Sequence, residues 1–179
     1  MRIISGDLGG RRLKPPAKMP YTRPTTDIAK EGLFNILTNN LDITLLKTLD
    51  LFGGTGSISY ELKSRGAKDC TIVEKDNAMF DFISKTSKEL KLENFKPVKM
   101  DVFRYISQCT EQFDLIFAGP PYALATIDEL PVKIIAQNMI APGGWFVLEH
   151  TPRNNYTGSP LFATSRNYGT TVFSIFVNK

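Results

Sequence analysis

From about residue 45 the chain alternates short apolar stretches with longer segments of helical periodicity, and this rhythm restricts the fold more than any other feature. Strands are expected over 46–51, 70–73, 97–100, 114–118 and 144–148, with helices near 56–65, 76–92, 101–108 and 126–139. Short strands alternating with helices call for right-handed crossovers onto a parallel sheet covered on both faces, so the expected class is α/β, doubly wound. The last stretch breaks the rhythm. Residues 161–168, then Gly169, then 171–177 read as two strands joined by a tight turn, which should place an antiparallel pair at one edge of the sheet.

Upstream of this body the chain reads differently. Arg2-Ile3-Ile4-Ser5 and Arg11-Arg12-Leu13-Lys14, separated by glycines, suggest a small β-hairpin ended by Pro15 and Pro16. Residues 17–25 read as an irregular loop, after which Thr26 or Asp27 can cap a helix carrying Ile28, Leu33, Phe34, Ile36 and Leu37. Residues 1–40 are therefore expected to form an extension of the domain at 41–179, with no core of their own. Charge is concentrated there. Residues 1–31 hold seven Lys/Arg (Arg2, Arg11, Arg12, Lys14, Lys18, Arg23, Lys30) against Asp7, Asp27 and Glu31, whereas the rest has fifteen of each sign. A basic segment on a neutral body is what a phosphate-backbone footprint looks like.

Composition removes several function classes. No apolar run approaches the roughly 20 residues of a membrane span, and the N-terminus has no apolar stretch of the kind found in a signal peptide, so a cytoplasmic protein without a membrane partner is expected. His150 is the only histidine, which excludes a Ser-His-Asp triad formed with any other histidine and any multi-histidine metal site; a structural role is expected for it. Cys70 and Cys109 lack metal-ligand spacing and read as reduced, buried thiols, so no metal is expected.

Chemistry concentrates at the expected carboxyl ends of the strands. The first is followed by Asp50-Leu51-Phe52-Gly53-Gly54-Thr55-Gly56, a strand-to-helix turn whose glycines let backbone amides approach a ligand. Glu74, with Lys75 after it, ends the second strand at a spacing that suits both hydroxyls of a ribose. Asp101 and Val102 follow the third, where a carboxylate or amide could meet an adenine edge. No Gly-Lys-Ser/Thr follows the glycines and the site shows no cation for phosphate, so a phosphate-free adenosine derivative fits best. S-adenosylmethionine is such a ligand, and Asp50 could help hold its ammonium group through a backbone or water contact. After the fourth strand comes Gly119-Pro120-Pro121-Tyr122, where consecutive prolines fix the carbonyl directions and the aromatic offers a face for a base.

Taken in order, Arg2-Ile3-Ile4-Ser5-Gly6, Arg23-Pro24-Thr25-Thr26-Asp27, Glu31-Gly32-Leu33-Phe34-Asn35, the glycine turn, Ser64-Arg65-Gly66-Ala67, Val73-Glu74-Lys75-Asp76, Pro120-Pro121-Tyr122 and Tyr168-Gly169 resemble the family of ribosomal RNA small-subunit methyltransferase D. The resemblance implies a Rossmann-like, seven-stranded sheet with a reversed last strand, and methylation of the exocyclic N2 of a guanine in 16S rRNA or in a small-subunit assembly intermediate. It implies a tetrad of Asp or Asn, Pro, Pro and Tyr. There the acidic or amide side chain and the first proline's carbonyl accept from the amine, and the aromatic stacks on the base.

Here Pro120, Pro121 and Tyr122 match and Gly119 does not. Loss of a positioning or acid-base group commonly costs about 10²- to 10⁴-fold in rate, so weak catalysis with cofactor binding kept is expected. Gly53, where the family often has alanine, should tolerate that change. Candidates for RNA contact are Arg2, Arg11, Arg12, Lys14, Arg23 and Thr25, with Arg11, Arg12 and Arg23 foremost because guanidinium suits phosphate. Two rival readings stand beside this one, a cofactor- or RNA-binding protein that does not turn over and a DNA adenine methyltransferase. A monomer is the default.

Overall fold

A computed structural model describes residues 1–19 and 24–179. The first helix, α1 (Asp27–Asn40), begins at Thr26, whose side-chain oxygen accepts from the Ala29 amide, so Thr26 and not Asp27 is the cap. A short 3-10 turn (Ile43–Leu45) leads into β1 (Lys47–Leu51). There follow α2 (Ser57–Ser64), β2 (Asp69–Glu74), α3 (Asn77–Glu89), β3 (Phe95–Lys99), α4 (Val102–Gln108), β4 (Phe113–Ala118), α5 (Glu129–Ala136), β5 (Ile140–His150), β6 (Phe162–Tyr168) and β7 (Thr171–Val177).

The seven strands form one sheet in the order β3-β2-β1-β4-β5-β7-β6. β3, β2, β1, β4 and β5 pair in parallel, while β7 is antiparallel to both β5 and β6 and so runs against the other strands. This is the doubly wound class with a reversed last strand. Both faces are covered, as the run of apolar residues in β4 requires. Ile116 and Ala118 face a cluster with Val102, Ile106, Leu130 and Ile134 from α4 and α5. Leu115 and Phe117 face the opposite cluster, where α1 supplies Ala29, Leu33, Phe34 and Leu37 and α2 supplies Ile58 and Leu62.

Three expectations are corrected. β5 is longer than 144–148 at both ends, because its start is broken by Pro142-Gly143-Gly144 and its end, Glu149-His150, is polar although buried. The expected helix over 126–139 contracts to α5. The N-terminal hairpin reduces to a single antiparallel bridge between Arg2 and Arg12, backed by hydrogen bonds from Ile3 N to Arg11 O (2.9 Å) and Leu13 N to Met1 O (2.9 Å). His150 has the structural role expected of it: Nε2 lies 2.7 Å from Ser174 Oγ and Nδ1 lies 2.7 Å from the Thr151 carbonyl, inside the fold. Among the described residues, no helix is long and apolar enough to cross a membrane.

The extension is anchored to α2 through the buried carboxylate of Glu61 and through Ser64, whose carbonyl accepts from Asp7 N (2.8 Å) and whose hydroxyl accepts from Leu8 N (2.9 Å). Glu61 accepts from the amides of Ile4 (2.8 Å) and Ser5 (3.0 Å) and from Arg65 Nε (2.9 Å), and it pairs with Lys30 Nζ at 3.6 Å. Gly6 completes the contact. Its φ is +79°, and a Cβ there would lie 1.9 Å from the Ser64 carbonyl oxygen, so only glycine permits this approach. Lys30 is itself fully buried, donating to Arg2 O (2.7 Å) and Ser57 Oγ (3.0 Å), and therefore cannot belong to a basic RNA-facing surface. Removing one partner of a buried ion pair strands the other. Glu61→Ala is accordingly expected to cost about 3–5 kcal/mol in urea unfolding and to expose the N-terminal segment to protease. A loss below about 1 kcal/mol would contradict this anchoring.

Candidate functional site

The carboxyl ends of β1, β2, β3 and β4 open onto one cavity of about 690 Å³. Phe52 and Gly54 enter it from the turn between β1 and α2. Val73, Glu74, Lys75, Asp76 and Asn77 come from the end of β2, Asp101 and Val102 from the start of α4, and Gly119 through Leu124 from the loop after β4. Convergence here follows from register, since Leu51 is level with Val73 on one side and Ala118 on the other.

The glycine turn is wound tightly, with left-handed φ at Phe52 (63°), Gly54 (56°) and Gly56 (83°). Its amides are used inwardly. Gly53 N donates to Val73 O (2.9 Å) and Gly54 N to Glu74 Oε2 (2.7 Å), while Asp76 N donates to Glu74 Oε1 (2.8 Å). Glu74 is thus clamped from both sides, and its oxygens keep lone pairs for a further donor such as a ribose hydroxyl. Asp101 caps α4 by accepting from Arg104 N (3.2 Å) and stands exposed at the rim, beside buried Val102.

Four residues expected to meet a cofactor do not line the cavity. Asp50 is buried behind the turn, its Oδ2 accepting from Ser59 Oγ at 2.7 Å; Thr55 is covered by the N-terminus, its hydroxyl 3.2 Å from Met1 Sδ; Gly53 and Gly56 form the turn without facing the cavity. A side chain at Gly53 would put its Cβ 2.5 Å from Ile72 Cγ1, so glycine fits the turn as it is packed here and alanine would require Ile72 to move. Nor is the site free of cations, because Lys75 lines it. Three carboxylates (Glu74, Asp76, Asp101) against one ammonium still disfavour a phosphate-bearing ligand.

At the other end, the Tyr122 hydroxyl donates to Glu149 Oε1 (3.1 Å) and lies 3.0 Å from Thr171 Oγ1, which ties its ring to β5 and β7. Glu149 also accepts from Thr25 Oγ1 at 2.7 Å, so the candidate RNA-facing segment reaches the same carboxylate. Sequence reasoning passed over Glu149; the available signal was an acidic residue at the end of an otherwise apolar strand. Of the RNA-contact candidates, Arg11, Arg12 and Lys14 are exposed and Arg2 forms an exposed ion pair with Asp27 (2.8 Å). Arg23 lies outside the described residues. No group of three or more metal-ligating side chains occurs among the described residues.

The family model described as Conserved hypothetical protein 95 matches residues 1–177. Ribosomal RNA small subunit methyltransferase D of Escherichia coli (strain K12) is 32% identical over 149 residues, covering 83% of this chain and 71% of the relative. The chain belongs to this family. YlbH of Bacillus subtilis (strain 168) is 32% identical over 183 residues, 98% of each chain. The solved structure of the Escherichia coli protein yhhF superimposes on that of this family member with a TM-score of 0.88 at 25% identity, covering 100% of this chain and 98% of the other.

Burial pushes the Asp50 carboxyl from its ordinary 3.8 up to about 7, helped by the charges of Glu74 and Glu149 and opposed by the Ser59 hydrogen bond. A raised acid pKa means that the folded chain holds a proton which the unfolded chain releases. Between pH 3.8 and about 7 this group's contribution to stability therefore falls as pH rises, and it levels off above. Asp50→Asn should flatten that slope and raise the urea midpoint at pH 8 relative to the parent. An unchanged pH dependence would contradict the burial argument.

Proposed function

We propose that the chain methylates the exocyclic N2 of a guanine in 16S rRNA, using S-adenosylmethionine and acting as a cytoplasmic monomer on an assembling small subunit. The observation carrying this reading is that one cavity runs from the glycine turn, Glu74 and Asp101 to Gly119-Pro120-Pro121-Tyr122. One end suits a nucleoside and the other suits a base. The name of the Escherichia coli relative, a ribosomal RNA small-subunit methyltransferase, supports RNA as the substrate.

The clamped Glu74 carboxylate would accept from the ribose hydroxyls, and Asp101 with the Val102 amide would meet the adenine edge. Gly54 leaves room for the amino-acid end beside Phe52, while Lys75 would flank the ribose. S-adenosylmethionine, when bound, supplies a methyl group activated by its sulfonium. The protein's own task is alignment, because in-line displacement depends chiefly on holding donor and amine at near-attack distance. Tyr122, held upright through its hydroxyl, would stack on the guanine after it leaves its helix, and the Pro120 carbonyl would accept from the amine. Arg11, Arg12 and Lys14, with Arg2 and Thr25 nearer the site, would follow the RNA backbone. With no side chain at 119, turnover slower than that of an Asp- or Asn-bearing tetrad is expected.

Tritiated methyl transfer to small-subunit particles that lack the modification tests this reading. The expected product is N2-methylguanosine recovered from 16S rRNA. Labelled adenine in duplex DNA would favour the DNA methyltransferase instead, and intact cofactor binding without any labelling would favour a binding protein; either result overturns the proposal.

A further inference from the structure

The tetrad lacks its acceptor side chain, yet a carboxylate stands next to the gap. Ala118 is level with Leu148 across β4 and β5, so Gly119, the first residue past β4, and Glu149 of β5 follow the last paired residues. A Cβ built on Gly119 would lie 3.5 Å from Glu149 Oε2 and 3.0 Å from Phe117 Cε1. Glu149 Oε2 is therefore in ordinary van der Waals contact with the point where the missing side chain would begin. Glu149 is 3% exposed, and its position is fixed by the Tyr122 and Thr25 hydroxyls.

We propose that Glu149 serves in place of the missing tetrad side chain, as the carboxylate toward which the target amine is oriented. The inference rests on the methyl-transfer reading above. As the guanine N2 bonds to the methyl carbon, the electron pair of the carbon–sulfur bond passes to sulfur, which leaves as a neutral thioether. The alkylated nitrogen, now cationic, sheds one proton to the Glu149 carboxylate, which later yields it to water. Gly119 then has a steric role: a side chain at that position would stand between this carboxylate and the cavity.

The test is reciprocal rescue, read with small-subunit particles as methyl acceptor. Glu149→Gln is expected to lower kcat by at least about 100-fold while cofactor Kd and melting temperature hold. Adding Gly119→Asp to that variant should recover at least tenfold, by roughly the expected size of one positioned acid-base group. If Glu149 only braced Tyr122 and Thr25, a carboxylate at 119 would rescue nothing. A Gly119→Asp single variant gives a readout that does not depend on Glu149→Gln folding. Two facing carboxylates cannot both ionise freely, so the acid limb of the pH–rate profile should move up by about one unit or more. Parent-like activity in Glu149→Gln, no rescue in the double variant, or an unmoved acid limb overturns the inference and leaves the methyl-transfer reading intact. A parent chain that labels no RNA overturns both.

Discussion

The parallel register of β2, β1, β4 and β5 is the constraint on which the site depends. Because Leu51 is level with Val73 and Ala118, and Ala118 with Leu148, the residues that follow each strand leave the sheet at one height. Phe52, Glu74 and Gly119 reach a shared cavity for that reason, and Glu149 stands behind Gly119 without lining the cavity itself. A slip of one residue in any pairing would reverse inward and outward side chains along that strand. It would also turn Glu74 away from the amides of Gly54 and Asp76 that clamp it. The apolar residues on both faces of β4 make such a slip costly, so core packing and site geometry are secured by the same contacts.

Among the contacts that join the N-terminal segment to this frame, two are made by carboxylates at different points. Glu61 gathers the amides of Ile4 and Ser5, the Arg65 guanidinium and the Lys30 ammonium in the interior. Burying that ammonium draws its pKa down through desolvation, which the nearby Glu61 charge offsets only in part. At the other point Thr25 meets Glu149, whose second oxygen holds Tyr122. The basic N-terminal segment and the Tyr122 ring thus share one carboxylate, so displacement of the segment would be felt at the ring.

Much of the fold was legible because strands and helices differ in period and in length, and the terminal antiparallel pair because Gly169 interrupts two apolar runs. The Gly32 and Tyr168 motifs also gain a reason: a Cβ on Gly32 would lie 2.3 Å from the Tyr168 ring, where α1 crosses β6. Phe52 and Gly54 of the glycine turn, Glu74, Asp101 and Tyr122 were legible because each lies at the end of a strand or just after it. What sequence did not reveal concerns direction and burial. Asp50 turns inward to Ser59, Lys30 lies in the core although it adds to the formal charge of the basic segment, and Lys75 faces the cavity. Glu149 carried a signal, an acid directly after an apolar stretch, but its place beside Gly119 did not, since pairing across strands cannot be read from spacing along one of them.

The central claim, that this site methylates guanine N2 in 16S rRNA, is tested most directly in cells by nucleoside mass spectrometry of 16S rRNA from a strain without this chain. The account predicts that one N2-methylguanosine disappears, returning with the intact chain and failing to return with a Tyr122→Ala copy. A 16S nucleoside profile unchanged by loss of the chain would contradict it.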